Sequence, residues 1–176
     1  MSIFQNPFFV RNLVYGIEDS LISTTGFVAG ITFAGLATPT IVVASLVLIL
    51  VEALSMSFGA FLAEESFLHA SNARQTTWMI LSYALTMFIS YFGTGLVVIA
   101  PYLLNAAYPY AYSLGIAVVS LYVLILTSGQ GGAARALALT AVGAAILAAT
   151  VLVGRAIDGM HGTSHGTSHG TSHGTR

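Results

Sequence analysis

Residues 41–62 read "IVVASLVLILVEALSMSFGAFL". Crossing the hydrocarbon core of a bilayer takes about 20 apolar residues in helical form. This run supplies them, with one charged group, Glu52, close to its middle. Barrel strands alternate polar and apolar residues over segments of about ten. The continuous run therefore predicts a membrane-spanning helix.

Four further runs of the same kind flank it, at 13–35, 78–100, 110–127 and 134–154. "LATPT" makes a short turn at Pro39, and a polar connection, "AEESFLHASNARQTT", occupies 63–77. The third run is expected to stop at Pro101. A tyrosine-rich link, "PYLLNAAYPYAY", and a glycine-rich turn, "TSGQGGAAR", separate the remaining pairs. The expected fold is an all-α integral membrane protein of five transmembrane helices. Residues 1–12 form a cytoplasmic segment, 13–155 the five-helix transporter domain, and 156–176 a disordered tail.

Composition supports this class. The chain is 56% hydrophobic and 6% charged over 176 residues, whereas soluble domains carry about 25% charged residues. The formal net charge of −1 argues against nucleic acid as a partner, because such binding needs a basic face. Cysteine is absent, which excludes disulfides, thiolate metal sites and cysteine nucleophiles. The opening "MSIFQNPFFVRN" lacks the pattern of a cleaved signal peptide, so the first spanning helix is expected to serve as the insertion signal. Arginines set the orientation. With an odd number of helices and the N-terminus inside, Arg11, Arg74 and Arg135 are cytoplasmic, and Arg155 and Arg176 are outside with the C-terminus. Tyr102, Tyr108, Tyr110 and Tyr112 then suit an outer aromatic belt, and Trp78 the inner interface.

The first run contains the second departure from apolar character. In "VYGIEDSLISTTGFVAGI", residues 14–31, Glu18 and Asp19 stand together with hydroxyl side chains behind them. An acid at a helix centre costs about 2.5–3.5 kcal/mol to insert and is usually functional. At about 1.5 Å per residue, Asp19 and Met56 fall at one depth on antiparallel neighbours. Glu52 falls one turn further out, level with Ser23. Glu52 and Met56 are four apart and share a face, as do Asp19 and Ser23. Carboxylate and hydroxyl oxygens suit hard divalent ions, and a thioether shifts the preference toward softer transition metals. Asp19, Glu52, Met56 and Ser23 are therefore the candidate ligands. Taken alone, Met56 equally suits packing, Glu18 a dipole partner at the helix start, and Glu52 a hydrogen bond to a neighbouring helix. Gly26 and Gly30 have the small-residue spacing of a close helix contact.

The two motif stretches resemble the vacuolar iron transporter family. Its first helix reads like G-x-N-D-G-L-V-S-T-T, here "GIEDSLISTTG" from Gly16 to Gly26, and its second like A-x-S-M-A-x-G-E-Y, here "ALSMSFGAF" from Ala53 to Phe61. The resemblance covers residues 10–155. It implies a homodimer in a lipid bilayer that exports cytosolic Fe²⁺ or Mn²⁺ in exchange for protons, with Asp19 and Met56 as pathway ligands and no permanently bound cofactor. It implies the plasma membrane in a prokaryote and a vacuolar-type membrane in a eukaryote. The chain departs from the pattern at Glu18, where Asn is usual, at Ala60, where Glu is usual, and at Glu52, where small residues are common. It also lacks the long Glu- and Met-rich cytosolic insert of many members. Glu64, Glu65 and His69 are what remain between the second and third helices. They form either a reduced capture site at the cytoplasmic mouth, with Glu18, or, for the two glutamates, a solvated helix end.

The tail repeats a tetrapeptide that places His161, His165, His169 and His173 four apart. Its composition cannot build a packed core. It reads either as a weak chelator of divalent metal or as a low-complexity extension. Two other functions stand beside transport: a membrane metal sensor that reads metal through the short 63–77 connection and the His tail, and a proton or small-solute channel that uses the same acids. His69 is the one histidine outside the tail. With no nucleophile–base pair in the helices, an enzyme is not expected.

Overall fold

The computed structural model describes residues 6–71, 76–127 and 133–164, with side chains described as far as 156. The elements are α1 (Pro7–Phe33), α2 (Thr38–Ala70), α3 (Thr77–Leu103), α4 (Pro109–Thr127) and α5 (Ala133–Ser164), and no strand occurs among the described residues. Local chemistry sets the boundaries. Asn6 caps α1 by accepting the Phe8 N–H at 3.0 Å, and Pro7 follows at the first helical position, where a missing N–H costs nothing. Gly35, at φ 78°, turns the chain out of α1, a conformation that glycine adopts without strain. Proline also lies in the first turn of α2 and begins α4.

Several helix boundaries differ from the sequence expectation, beginning with α1, which starts at Pro7 rather than near residue 13. α3 passes through Pro101 and ends at Leu103. A proline so near a C-terminus removes one hydrogen bond and leaves almost no helix beyond it to distort. α2 runs through "AEESFLHA" to Ala70, two turns into the stretch expected to be a polar connection. Glu64 and Leu68, four apart, are both buried there, so this segment has an inward face that holds it helical. At the other end of the chain, α5 continues to Ser164, past the boundary at 155.

α1 packs against each of the other four helices. Around it, α2 meets α3, α3 meets α4, and α4 meets α5, while α2 and α5 do not touch among the described residues. The bundle is thus a horseshoe about a central helix, open on one side of α1. Side-chain contacts give the directions. α3 and α5 run parallel to α1, because Ser23 meets Tyr91, Thr32 meets Tyr102 and Gly30 meets Gly154. α2 runs antiparallel, because Ser23 meets Glu52 and Arg11 meets Glu64. The end where α1 begins is called the near end below, and the opposite one the far end.

The helices approach closely at small residues. A Cβ on Gly26 would stand 3.3 Å from Thr150, and one on Gly154 would collide with the Gly30 carbonyl, so the Gly26/Gly30 spacing serves the α1–α5 contact. Gly95 of α3 accepts Ile49 of α2 in the same way, with its would-be Cβ 2.9 Å from that side chain. Such contacts replace the hydrophobic drive that is missing between helices in lipid. Val43, Val47, Leu50, Val51, Leu54 and Phe58 of α2 point outward and are exposed, as a lipid-facing surface requires.

α2, α3, α4 and residues 133–156 of α5 are long and apolar enough to cross a membrane. α1 has the length, about 40 Å for 27 residues, but its polar content sets it apart from these four. Its central position accounts for that content: Ser20, Thr24 and Thr25 are buried against neighbouring helices.

Candidate functional site

The near half of the bundle contains a groove of about 1010 Å³ between α1 and α2. Arg11, Tyr15 and Glu18 line it from α1, Ser55, Met56 and Gly59 from α2, and Met87 from α3. The Glu18 carboxylate and the Met56 thioether thus share one space. Asp19 does not line the groove. It is half-buried and lies within electrostatic reach of both Glu52 and Glu18. Depth counting puts Asp19 level with Met56; its chain neighbour Glu18 is the acid that lines the groove with Met56, and Asp19 lies within electrostatic reach of Glu52.

Just above the groove, three helices are tied together. The Tyr91 hydroxyl of α3 donates to Glu52 Oε2 of α2, and Ser23 Oγ of α1 lies 3.2 Å from the same oxygen and 2.6 Å from the Tyr91 hydroxyl. The depth argument placed Glu52 level with Ser23, and the two are in contact. Ser20 Oγ donates to the Tyr91 backbone carbonyl at 2.8 Å, and Gly16 lets α1 lie directly against Ser90. Tyr91 is therefore held through both its backbone and its hydroxyl, and its side chain is fully buried. Sequence reasoning missed Tyr91. The available signal was its position in the middle of an apolar run, away from the interfaces where tyrosines gather, because a buried Tyr hydroxyl needs a partner.

The near end is closed by a second set of contacts. Arg11 pairs with Glu64, whose side chain is 3% exposed, and the Arg11 guanidinium also lies 5.5 Å over the Phe8 ring. Phe8 packs in turn on Tyr83 and Phe67, and Asn6 donates to the Tyr83 hydroxyl at 2.7 Å. Glu64 is thus no solvated helix end: a buried acid needs a partner, and Arg11 supplies it. Glu65 and His69 are exposed nearby on α2. At the far end, Arg155 lies 4.9 Å over Phe33, and Tyr102 exchanges a 2.8 Å hydrogen bond with Thr32. Tyr102 is buried inside the bundle rather than in an interfacial belt, whereas Tyr108 and Tyr112 are exposed.

Among the described residues, no three His, Cys, Asp or Glu side chains stand close enough to hold one ion. Glu18, Asp19 and Glu52 form a succession along the α1–α2 seam rather than a cage. His165, His169 and His173 lie outside the described residues, as does the His161 side chain.

The sequence model of the VIT family matches residues 10–78. That span holds all but the first three residues of α1, the whole of α2 and the first residues of α3, and so carries both motif stretches, most of the groove walls from α1 and α2, and Glu52 with Ser23. No curated protein and no solved structure matches the chain. The family is one of metal-ion transporters rather than enzymes, and the four apolar helices agree with its membrane setting. Over residues 10–78 the chain is similar to the VIT family, and its long apolar helices mark it as an integral multi-pass membrane protein.

Proposed function

We propose that the protein moves divalent transition-metal ions, Fe²⁺ or Mn²⁺, out of the cytoplasm along the α1–α2 seam in exchange for protons. The observation that carries this reading is the stacking of oxygen and sulfur donors on that seam: Glu18 and Met56 in the groove, then Asp19, then Glu52 with Ser23. Carboxylates with a thioether favour transition metals over Mg²⁺ or Ca²⁺, and carboxylates can exchange a metal ion for protons. Asp19, Met56, Glu52 and Ser23 are the proposed ligands, with Glu18 at the mouth.

In this reading α1 also crosses the bilayer, which gives five spanning helices with the N-terminus cytoplasmic and the C-terminus outside. An odd number of spans and the arginine bias support that placement. A homodimer is part of the same proposal. Tyr15 and Glu18 are exposed on α1, and a second copy packed over them would shield that polar face from lipid.

The test is metal flux into proteoliposomes under an imposed pH gradient, comparing Fe²⁺, Mn²⁺, Co²⁺ and Zn²⁺. Fe²⁺ or Mn²⁺ flux that depends on the gradient and is lost in Asp19→Ala and Met56→Ala is expected. Metal flux unchanged in both variants overturns the ligand assignment. Proton flux without metal flux overturns the substrate.

A further inference from the structure

The near half of the α1–α2–α3 contact is open and the far half is packed. Above Glu52, residues Val28, Ile41, Ile49, Ile99 and Tyr102 form one buried cluster joining the three helices. The boundary between groove and cluster is the Ser23–Tyr91–Glu52 hydrogen-bond set. Beyond that boundary the buried hydroxyls of Thr24, Thr25 and Ser45 have no hydrogen-bond partner among the described residues. An unpartnered buried hydroxyl is costly and calls for an explanation. Ser45 lies seven residues before Glu52 on α2 and so shares its stripe.

We propose that Tyr91 is a gate residue: its hydroxyl, bridging Glu52 of α2 and Ser23 of α1, closes the floor of the groove, and Ser45 is the next polar station once that bridge opens. The geometry fits a gate better than a passive brace. Tyr91 is fixed to α1 through its backbone by Ser20, so the hydroxyl bridge can break without moving α3. α2 is the element released, because Glu52 is its one charged side chain in the bridge. The unpartnered hydroxyls are then explained by a second arrangement in which water or an ion reaches them. This inference takes its purpose from the transport reading, but its test measures accessibility and not flux, so the two fail separately.

The chain has no cysteine, so single cysteines report access without background. Ser55→Cys, in the groove, and Ser45→Cys, beyond the bridge, are reacted with a charged, water-soluble thiol reagent in liposomes permeabilised so that both faces are exposed. Ser55→Cys should react readily in every background. Ser45→Cys should be protected in the otherwise native chain, and should react at least several-fold faster when Tyr91→Phe removes the bridging hydroxyl. Glu52→Gln and Ser23→Ala each cut a different leg, should act in the same direction, and keep the test valid if Tyr91→Phe fails to fold. Equal Ser45→Cys rates in the native and bridge-cut backgrounds overturn the proposal. So does a native-background Ser45→Cys that reacts as fast as Ser55→Cys.

Discussion

The two halves of α1 are nearly equal in length, 14 and 13 residues, yet they are built differently. From Pro7 to Ser20 the helix borders a groove, presents Arg11, Tyr15 and Glu18 to it, and meets α2 through an ion pair with Glu64. From Leu21 to Phe33 it is clamped, with Leu21, Val28 and Ala29 almost wholly buried and Gly26 and Gly30 pressed against α5. The near half spends its polar residues on an accessible wall and the far half on close packing. The proposed transport needs both, an ion-accepting side and a sealed one, and the change in α1 occurs within about one turn, at Ser20 to Ser23.

The comparison breaks most visibly at its hinge. Glu52→Ala removes the acceptor that joins the halves and a proposed ligand. Metal flux should fall about 10- to 100-fold, the range seen when the support around a metal site is removed, as measured by initial rates in proteoliposomes. The near half is tested next by Arg11→Ala, which leaves Glu64 buried without its partner. Removing one member of a buried pair costs about 3–5 kcal/mol, and the partial exposure of Arg11 brings the expected loss to about 2 kcal/mol. Thermal unfolding in detergent reads it, and adding Glu64→Gln should recover most of the loss.

The far half is tested by Gly154→Val, whose side chain would collide with the Gly30 carbonyl. Overpacking of this kind costs about 1–3 kcal/mol, seen as a lower unfolding midpoint. The smallest effect belongs to the outer surface. Val119→Ala on α4, 63% exposed, should change stability by less than about 0.5 kcal/mol in the same unfolding experiment. A loss as large as that of Gly154→Val would mean that α4 is covered by a partner.

The parts of this architecture that were legible in the sequence are those set by period and length. Continuous apolar runs gave five helices, and counting rise per residue put Glu52 beside Ser23. Pairings between distant helices were not legible. Nothing in residues 63–70 says that Glu64 will meet Arg11 of α1, and that meeting is what continues α2 through a polar stretch. Tyr91 was hidden for the same reason, since a tyrosine in an apolar run acquires its role only when two other helices bring Ser23 and Glu52 to it. Glu18 and Asp19 show the limit of depth alone. Adjacent residues share a level but differ by about 100° around the helix, and the groove takes the one that depth counting did not favour.

The central claim is that metal enters through the groove between α1 and α2. Tyr15 and Gly59 line it from the two sides, so Tyr15→Cys with Gly59→Cys, joined by a reducible thiol cross-linker in an otherwise cysteine-free chain, closes it directly. Metal flux should stop when the cross-link forms and return when it is reduced. Complete cross-linking with undiminished flux would contradict the account.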